Sequence, residues 1–173
     1  MGSTIWAAAA AAMMVAFAPT AVAQDAPDAV NSQDVGWHNR QMLYLLSLKE
    51  SDGWHYTASG LRYRRIKAGA GGRDGAGAPH PAPTDRVTIH YTGTLIDGTE
   101  FDSSVGRGAP VTFPLPRLIR GWQEGVPLMA VGDTFEFAIP QNLAYGTKAT
   151  GPIPGGATLL FTIELFGTVP AEG

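Results

Sequence analysis

Strict alternation of apolar and polar residues in the C-terminal half most constrains what this chain can fold into. The alternation runs through RVTIHYTGTL at residues 86–95, DTFEFAIP at 133–140 and ATLLFTIELF at 157–166. A period of two places every second side chain on one face, as in a half-buried strand. The helical candidate in this half is RLIRGWQEG at 117–125, and its glycines keep it short. We therefore predict an α+β domain in which a twisted antiparallel sheet packs on one short helix.

Two shorter segments add strands to this sheet. ASGLRYRRI at residues 58–66 is typical of a strand that follows a Ser-Gly turn, and VTFPL at 111–115 alternates as well. Because proline lacks an N–H group, Pro114 confines the second segment to a sheet edge or a bulge. The Gly- and Pro-rich residues 67–84 lack the Gly-Lys-Ser/Thr ending of a phosphate-binding loop, so they indicate a flexible surface loop.

Residues 34–50 show a helical pattern. One apolar face, interrupted by Gln41, is formed by Trp37, Tyr44, Leu45 and Leu48. A helix this short cannot bury its apolar face alone. We expect it to dock either on the rest of the chain or on a partner, and the first is favoured.

Composition excludes several function classes. The chain has 173 residues, 45% hydrophobic and 16% charged, which suits one globular domain with an appendage. The formal net charge of -3 argues against a nucleic-acid partner. With no cysteine in the sequence, disulfides, thiol catalysis and thiolate metal sites are excluded.

The N-terminal segment is typical of a secretory signal peptide. An apolar run from Ile5 to Ala18 is shorter than the roughly 20 residues of a membrane helix, and the small-x-small pattern of Ala21-Val22-Ala23 follows it. We predict cleavage before Gln24 and a periplasmic or secreted protein without a stable membrane anchor. The alternatives are an uncleaved anchor or a buried Ala-rich helix, since no Lys or Arg precedes the run.

Conventional catalytic constellations fit the sequence poorly. The sequence disfavours a catalytic triad of Ser103, His90 and Asp102, because adjacent strand residues point to opposite faces and a nucleophile elbow is missing. The acids Asp97, Glu100 and Asp102 are close in sequence, but two of them flank a turn, which favours surface acids over a glycosidase pair. Aromatic residues beside glycines, as in IRGW and AYG, instead suggest an apolar pocket for a peptide or a small apolar ligand.

Several blocks in register resemble the FKBP-type peptidyl-prolyl cis–trans isomerases. They are VTIHYTGTLIDGTEFDSS, PRLIRGWQEGVPLMAVGDTFEFAIP, LAYG and GATLLFTIEL, and the likeness extends from about Ala58 to Gly167. The resemblance implies a curved antiparallel sheet of five or six strands around one short helix, and a macrophage infectivity potentiator-like bacterial exported branch. It also implies proline-containing polypeptide substrates, macrolide inhibitors such as rapamycin, and no metal or cofactor. A non-catalytic peptide-binding chaperone module is the alternative.

The same resemblance implies the site residues. Those expected to be catalytic are Tyr91, Phe101, Asp102, Trp122, Tyr145 and Phe161. Trp122 is the expected pocket floor, with Tyr91, Phe101 and Phe161 as walls, and the Tyr145 hydroxyl meets a substrate carbonyl. Asp102 is expected to be structural rather than a base, held by Tyr91 and Arg107. Residues expected to complete the substrate site are Arg107, Val111, Leu118, Ile119 and Ile153; among them Ile119 offers its backbone N–H, and Ile153 closes one side.

Three departures from the family pattern lead to further expectations. Val111 replaces a common Phe and thins one wall, and Gly155-Gly156 is expected to loosen the loop that follows Tyr145. The helix at 34–50 is shorter than the N-terminal helices through which exported relatives dimerise, which favours a monomer. We assign residues 1–23 to the signal peptide, 24–57 to a linker with a short helix, 58–168 to the isomerase domain and 169–173 to a tail.

Overall fold

The computed structural model describes residues 35–69 and 77–171 of the chain. The expected signal peptide and its cleavage site lie outside these residues, as does most of the glycine-rich part of the predicted loop at 67–84. Among the described helices, none is long and apolar enough to cross a bilayer.

Two α-helices and seven strands organise the described residues. The helices are α1 (Val35–Ser47) and α2 (Arg120–Gly125), and the strands are β1 (His55–Tyr56), β2 (Arg62–Lys67), β3 (Arg86–Thr94), β4 (Glu100–Ser103), β5 (Val111–Pro114), β6 (Thr134–Ile139) and β7 (Leu159–Val169). Four single-turn 3-10 helices lie at Glu50–Asp52, Leu115–Arg117, Val126–Leu128 and Gln141–Leu143.

The strands form one antiparallel sheet in the order β1-β2-β6-β7-β3-β4. Strand β5 also pairs with β3, at residues 86–89, whereas β4 pairs with β3 at residues 92–94. The predicted α+β class and antiparallel sheet are confirmed, and the count exceeds five or six because the two-residue β1 adds a strand. β1 falls within the segment assigned as a linker, and β7 ends at Val169, inside the assigned tail. The domain boundaries themselves stay predictions.

The predicted alternation places one face of the sheet in the core. The buried side chains from β3, β6 and β7 are Val87, Ile89, Tyr91, Phe135, Phe137, Ile139, Leu159, Phe161, Ile163 and Leu165. Helix α2 packs closely on this face through Gly121 and Gly125. A Cβ atom on Gly125 would lie 2.6 Å from the Phe137 ring, and one on Gly121 would overlap Ile139. The glycines therefore do more than keep α2 short, since they allow the backbone of the helix to lie against the sheet.

Helix α1 docks on the loop that precedes β7. The Trp37 Nε1 group donates a hydrogen bond to the Gly155 carbonyl at 2.9 Å, and Gln41 Oε1 accepts one from the Thr158 N–H at 2.8 Å. Trp37 and Gln41 are both buried. The expected docking on the chain itself is therefore confirmed. Gln41 does not interrupt the docked face, because it supplies an acceptor to a buried backbone donor.

A second apolar stripe of α1 remains exposed. Val35, Met42, Leu43 and Leu46 expose 71%, 62%, 64% and 62% of their surface. The sequence favours a monomer because the helix is short, but docking on the chain leaves this apolar surface uncovered. The oligomeric state itself stays a prediction.

Candidate functional site

Strands β3 and β4 bring three expected site residues to one end of the sheet. Tyr91 is fully buried in β3, and the β4 residues Phe101 and Asp102 are half-buried. Gly93 is paired with Asp102 in the sheet register, and a Cβ atom on it would lie 2.7 Å from the rings of both Phe101 and Phe161. The glycine thus leaves the space in which these two rings meet.

Four of the expected aromatic residues form one cluster. The Trp122 ring lies edge-to-face with Tyr91, with centroids 5.2 Å apart, and with Phe161 at 5.0 Å. Phe101 lies edge-to-face with Phe161 at 5.5 Å. Edge-to-face contact suits the ring quadrupoles and fixes the relative orientation of the rings. The structure therefore brings the expected floor and walls together.

Tyr91, Asp102 and Arg107 form a closed hydrogen-bond triangle. The Tyr91 hydroxyl donates to Asp102 Oδ2, and Arg107 Nη1 donates to Asp102 Oδ1 at 2.6 Å. The third side is a hydrogen bond from Arg107 Nη2 to the Tyr91 hydroxyl at 3.0 Å. Burial, together with the hydrogen bond to Asp102, raises the pKa of Tyr91 to about 12, although Arg107 opposes the shift. Asp102 already accepts from two donors, which is the arrangement expected of a structural carboxylate.

Two donors near the cluster have no partner among the described residues. The Ile119 N–H precedes the first turn of α2 and donates to no acceptor there, whereas the Ile119 carbonyl accepts from Trp122 N–H at 2.9 Å. The half-buried Tyr145 hydroxyl also has no hydrogen-bond partner within the described part of the chain. Burial and then the charge of Asp102 raise the pKa of Tyr145, so its hydroxyl lies within electrostatic reach of that carboxylate. Both donors are available to a bound ligand.

The other expected pocket residues lie around the cluster. Leu118 and Ile153 are buried and Val111 is half-buried, all in contact with the hydrophobic core. Val111 pairs with Ile89 at the start of β5. Ile153 pairs with Thr150 in the loop after Tyr145. Their part in binding stays a prediction.

The loop after Tyr145 is held in place, contrary to the expectation drawn from Gly155-Gly156. Gly155 accepts the hydrogen bond from Trp37, and the Gly156 N–H donates to the Gly146 carbonyl at 2.9 Å. Gly156 has φ +78°, and a Cβ atom there would lie 3.1 Å from the His38 ring. Helix α1 thus occupies the space that a larger residue would need, and the glycines permit docking.

The alternative catalytic constellations do not assemble. His90 Nδ1 lies 2.9 Å from the hydroxyl of Ser104, while Ser103 pairs with Thr92 at 3.0 Å. Asp97 accepts the Thr99 N–H at 2.9 Å inside the turn, as expected of a surface acid. Within the described residues, no group of three or more His, Cys, Asp or Glu side chains could hold a metal ion.

Sequence reasoning missed two residues that shape the site. Gly93 was not predicted to be part of the site, although a glycine at a core-facing position of a strand signals close approach by other groups. Phe113 belongs to the alternating segment VTFPL, but its contact with Tyr91, at 6.3 Å between centroids, could not be predicted because it joins separate strands.

Known proteins resemble this chain in sequence and fold. The chain is 48% identical over 138 residues to the FKBP-type peptidyl-prolyl cis-trans isomerase FkpA of Aeromonas hydrophila, covering 80% of this chain and 47% of that protein. It is 42% identical over 129 residues to the outer membrane protein MIP of Legionella longbeachae, covering 74% and 52%. The crystal structure of FkpA from Escherichia coli superposes with a TM-score of 0.71 at 35% identity, covering 78% of this chain and 60% of that one.

The chain spans about half the length of these two relatives. The part that carries the aromatic cluster is also the part that matches a family description, over residues 77–166. The chain therefore belongs to the family of FKBP-type peptidyl-prolyl cis-trans isomerases.

Proposed function

We propose that this chain is a peptidyl-prolyl cis–trans isomerase that accelerates proline-limited folding of exported polypeptides. The observation that carries the proposal is the cluster of four aromatic rings beside two hydrogen-bond donors, Ile119 N–H and Tyr145 hydroxyl, that lack partners among the described residues. Family membership supports the same activity. Such a site can bind an X-Pro segment by its ring and its carbonyl groups.

The reaction requires no nucleophile, because it rotates a bond without breaking one. The barrier of about 18–20 kcal/mol reflects the loss of amide resonance. The twisted amide has a smaller carbonyl dipole than the planar one, so an apolar pocket with little water penalises the planar state more. Uncatalysed isomerisation takes tens of seconds or longer, which is slow enough to limit folding.

Each site residue has a proposed part in this reaction. Trp122 forms the floor under the proline ring, while Tyr91, Phe101 and Phe161 form the walls. Ile119 N–H and the Tyr145 hydroxyl hold substrate carbonyl groups. The rim and sides are completed by Val111, Leu118 and Ile153. Asp102 and Arg107 orient the Tyr91 hydroxyl and take no proton from the substrate.

A proline-isomerisation assay on the mature protein, with and without rapamycin, tests the proposal. Tyr145→Phe removes only the hydroxyl, so we expect a lower kcat/KM with an unchanged fold. The matched control is Tyr56→Phe, because Tyr56 is exposed and lies against Arg62 instead of the aromatic cluster. Absence of isomerisation by the folded wild-type protein would reject the proposal.

A non-catalytic chaperone module is the second candidate. The exposed stripe of Met42, Leu43 and Leu46 favours it, because contiguous apolar surface binds unfolded chains. The two candidates differ in turnover. A chaperone module would suppress aggregation of a proline-free client and leave proline isomerisation at its uncatalysed rate.

Export is part of the proposal. Residues 1–23 act as a cleaved signal peptide, and the mature protein begins at Gln24 in the periplasm or outside the cell. The Legionella relative is named an outer membrane protein, which supports export. Mass spectrometry of the protein isolated from its source tests this directly, and residues 1–23 still attached would contradict cleavage.

A further inference from the structure

A groove of about 470 Å³ lies at the end of the sheet where β3, β5 and β7 meet. Arg86 in β3 is the register partner of both Pro114 in β5 and Val169 in β7, so its side chain stands between theirs. Arg117, from the 3-10 helix that follows β5, lines the groove as well. We call this feature the arginine groove.

The two arginines are the cationic donors in this groove, which Thr84 also lines. Both side chains are exposed, and within the described residues neither takes part in an ion pair or a hydrogen bond. The neighbouring carboxylate of Asp85 is buried and already accepts hydrogen bonds from Ala82 N–H and the Thr168 hydroxyl, at 2.9 and 2.7 Å. The Asp85 carboxylate therefore does not pair with either arginine of the groove.

The rest of the groove favours a carboxylate over a backbone carbonyl as ligand. Its walls include Pro114, Pro116 and Pro170, and proline has no backbone N–H to donate. Guanidinium groups form their strongest hydrogen bonds with carboxylates, often through two parallel contacts. The chain as a whole carries a formal charge of -3, so the groove is a basic spot on an acidic molecule.

The groove adjoins the proposed substrate site. Arg117 directly precedes Leu118 and Ile119 in the chain. Gln123 Nε2 from α2 donates to the carbonyl groups of both Pro116 and Leu118, at 3.2 and 2.6 Å, which fixes the groove wall relative to the helix that bears Trp122. Two chain positions together with one arginine side chain span roughly 7–14 Å, which an extended peptide at about 3.3 Å per residue covers in about two to four residues.

We propose that the arginine groove binds an acidic side chain of the substrate polypeptide, about two to four residues from the isomerised proline. This inference rests on the proposed function. It goes further because it assigns a charge preference outside the aromatic pocket. The matched family region ends at residue 166, whereas Pro170 and Ala171 of the groove wall lie beyond it.

The test compares kcat/KM for peptides that share one X-Pro core and carry Glu, Gln or Lys three residues to either side. An exposed ion pair contributes about 1.5- to 5-fold, so we expect the wild-type protein to prefer Glu over Gln by that factor for each arginine engaged. The preference should fall at high salt, because counterions screen exposed charges. Lys peptides should be the poorest substrates.

Substitutions of the two arginines test whether the groove causes the preference for Glu peptides. The ratio of Glu to Gln peptides should fall toward one in Arg117→Gln and in Arg86→Gln, and below one in the double Arg→Glu variant. The matched control is Lys49→Gln, an exposed cation on the linker after α1, which should keep the wild-type ratio. A wild-type ratio of one, or a preference that survives both arginine substitutions, would overturn the inference.

Two further results separate the remaining explanations. Turnover of the Gln peptide without a charge preference would reject the groove and leave the proposed function intact, whereas no turnover of any peptide would reject the proposed function itself.

Glu172 follows Ala171 in the sequence and lies outside the described residues, so Glu172→Gln is included. A preference that appears only in this variant would mean that the chain's own Glu172 fills the groove, which contradicts the proposal.

Discussion

Replacing Trp122 with alanine should lower both stability and catalysis, and the two losses can be measured separately. The indole ring is 1% exposed and meets Tyr91 and Phe161 edge-to-face at 5.2 and 5.0 Å. Deleting a buried Trp side chain costs about 3–5 kcal/mol of unfolding free energy. Trp122 Nε1 has no partner among the described residues, and removing that buried donor offsets part of the cost, since an unsatisfied group costs about 1–3 kcal/mol. With an offset of about 1 kcal/mol, the low end of that range, we expect a net loss of about 2–4 kcal/mol.

Chemical denaturation and the isomerisation assay, performed on the same preparations, give the two quantities. A domain stable by about 5–15 kcal/mol remains mostly folded after such a loss, so turnover can be expressed per folded molecule. If Trp122 is the pocket floor, truncation removes the surface under the proline ring and admits water, so turnover per folded molecule should drop steeply. Trp122→Phe serves as the matched control, because it keeps an aromatic ring and removes the unpartnered N–H.

The reasoning would be refuted by an alanine variant that loses stability but keeps wild-type turnover per folded molecule. Trp122 would then be an ordinary core residue, and the site would lie elsewhere. A near-wild-type denaturation midpoint would contradict the packing argument instead, because a buried indole in two edge-to-face contacts cannot be removed without loss of contacts.

Three further predictions follow from the hydrogen-bond triangle and from α1. Asp102→Leu should retain substantial isomerase activity because Asp102 orients Tyr91 and is not a base; a pH–rate profile that loses its acidic limb together with activity in this variant would make it one. The raised pKa of Tyr91 means that the folded state holds the phenol proton more tightly, so this stabilisation is complete below pH 10 and is lost as the pH rises through about 12. Denaturation curves across that window should show a smaller loss of stability in Tyr91→Phe than in the wild type, since Tyr44 and Tyr145, whose pKa values are also raised, titrate in both proteins. The mature protein should be monomeric by light scattering, since the exposed stripe of a 13-residue helix falls short of the roughly 800 Å² per partner that stable interfaces bury; a dimer abolished by Leu43→Lys and Leu46→Lys would contradict this.

Local periodicity sufficed to predict the sheet, whereas the site depended on contacts between distant residues. Period-two alternation identified the core faces of β3, β6 and β7 because each strand buries one face against α2. It could not show that Gly93 admits the rings of Phe101 and Phe161, since those residues come from three strands. The pocket residues were predicted from the family resemblance. Among them, Asp102 makes the expected hydrogen bonds with Tyr91 and Arg107.

The docking of α1 could be foreseen only in part. Its apolar face predicted that the helix would pack on something, but polar contacts decide where it packs. The Trp37 indole N–H donates to the Gly155 carbonyl, and Gln41 accepts from the Thr158 N–H. Both partners lie more than a hundred residues away in the chain. Hydrogen bonds of this kind leave no periodic signal in a single sequence. The expectation of a loose loop failed for the same reason, because two glycines indicate freedom only when no other element occupies the space beside them.

Removing the Trp37 hydrogen bond should therefore loosen the loop that follows Tyr145 without unfolding the sheet. Trp37→Phe leaves the buried Gly155 carbonyl without its donor, and an unsatisfied buried group costs about 1–3 kcal/mol, or about 5- to 150-fold in a local opening equilibrium. Hydrogen exchange of the Gly156 and Thr158 amides should accelerate by that factor, while the β7 amides that pair with β3 keep their protection.

Leu43→Ala is the control for this experiment, because Leu43 lies on the exposed stripe of the same helix and makes no part of the docked face. Its Gly156 and Thr158 amides should exchange as in the wild type. If the loop shapes the substrate site beside Tyr145, then Trp37→Phe should also raise KM more than it lowers kcat, because an opened loop binds substrate less often but leaves the aromatic cluster intact. Unchanged exchange at both amides in Trp37→Phe would show that the loop is held by its own contacts, such as the bond from Gly156 N–H to the Gly146 carbonyl, and that α1 merely rests on it.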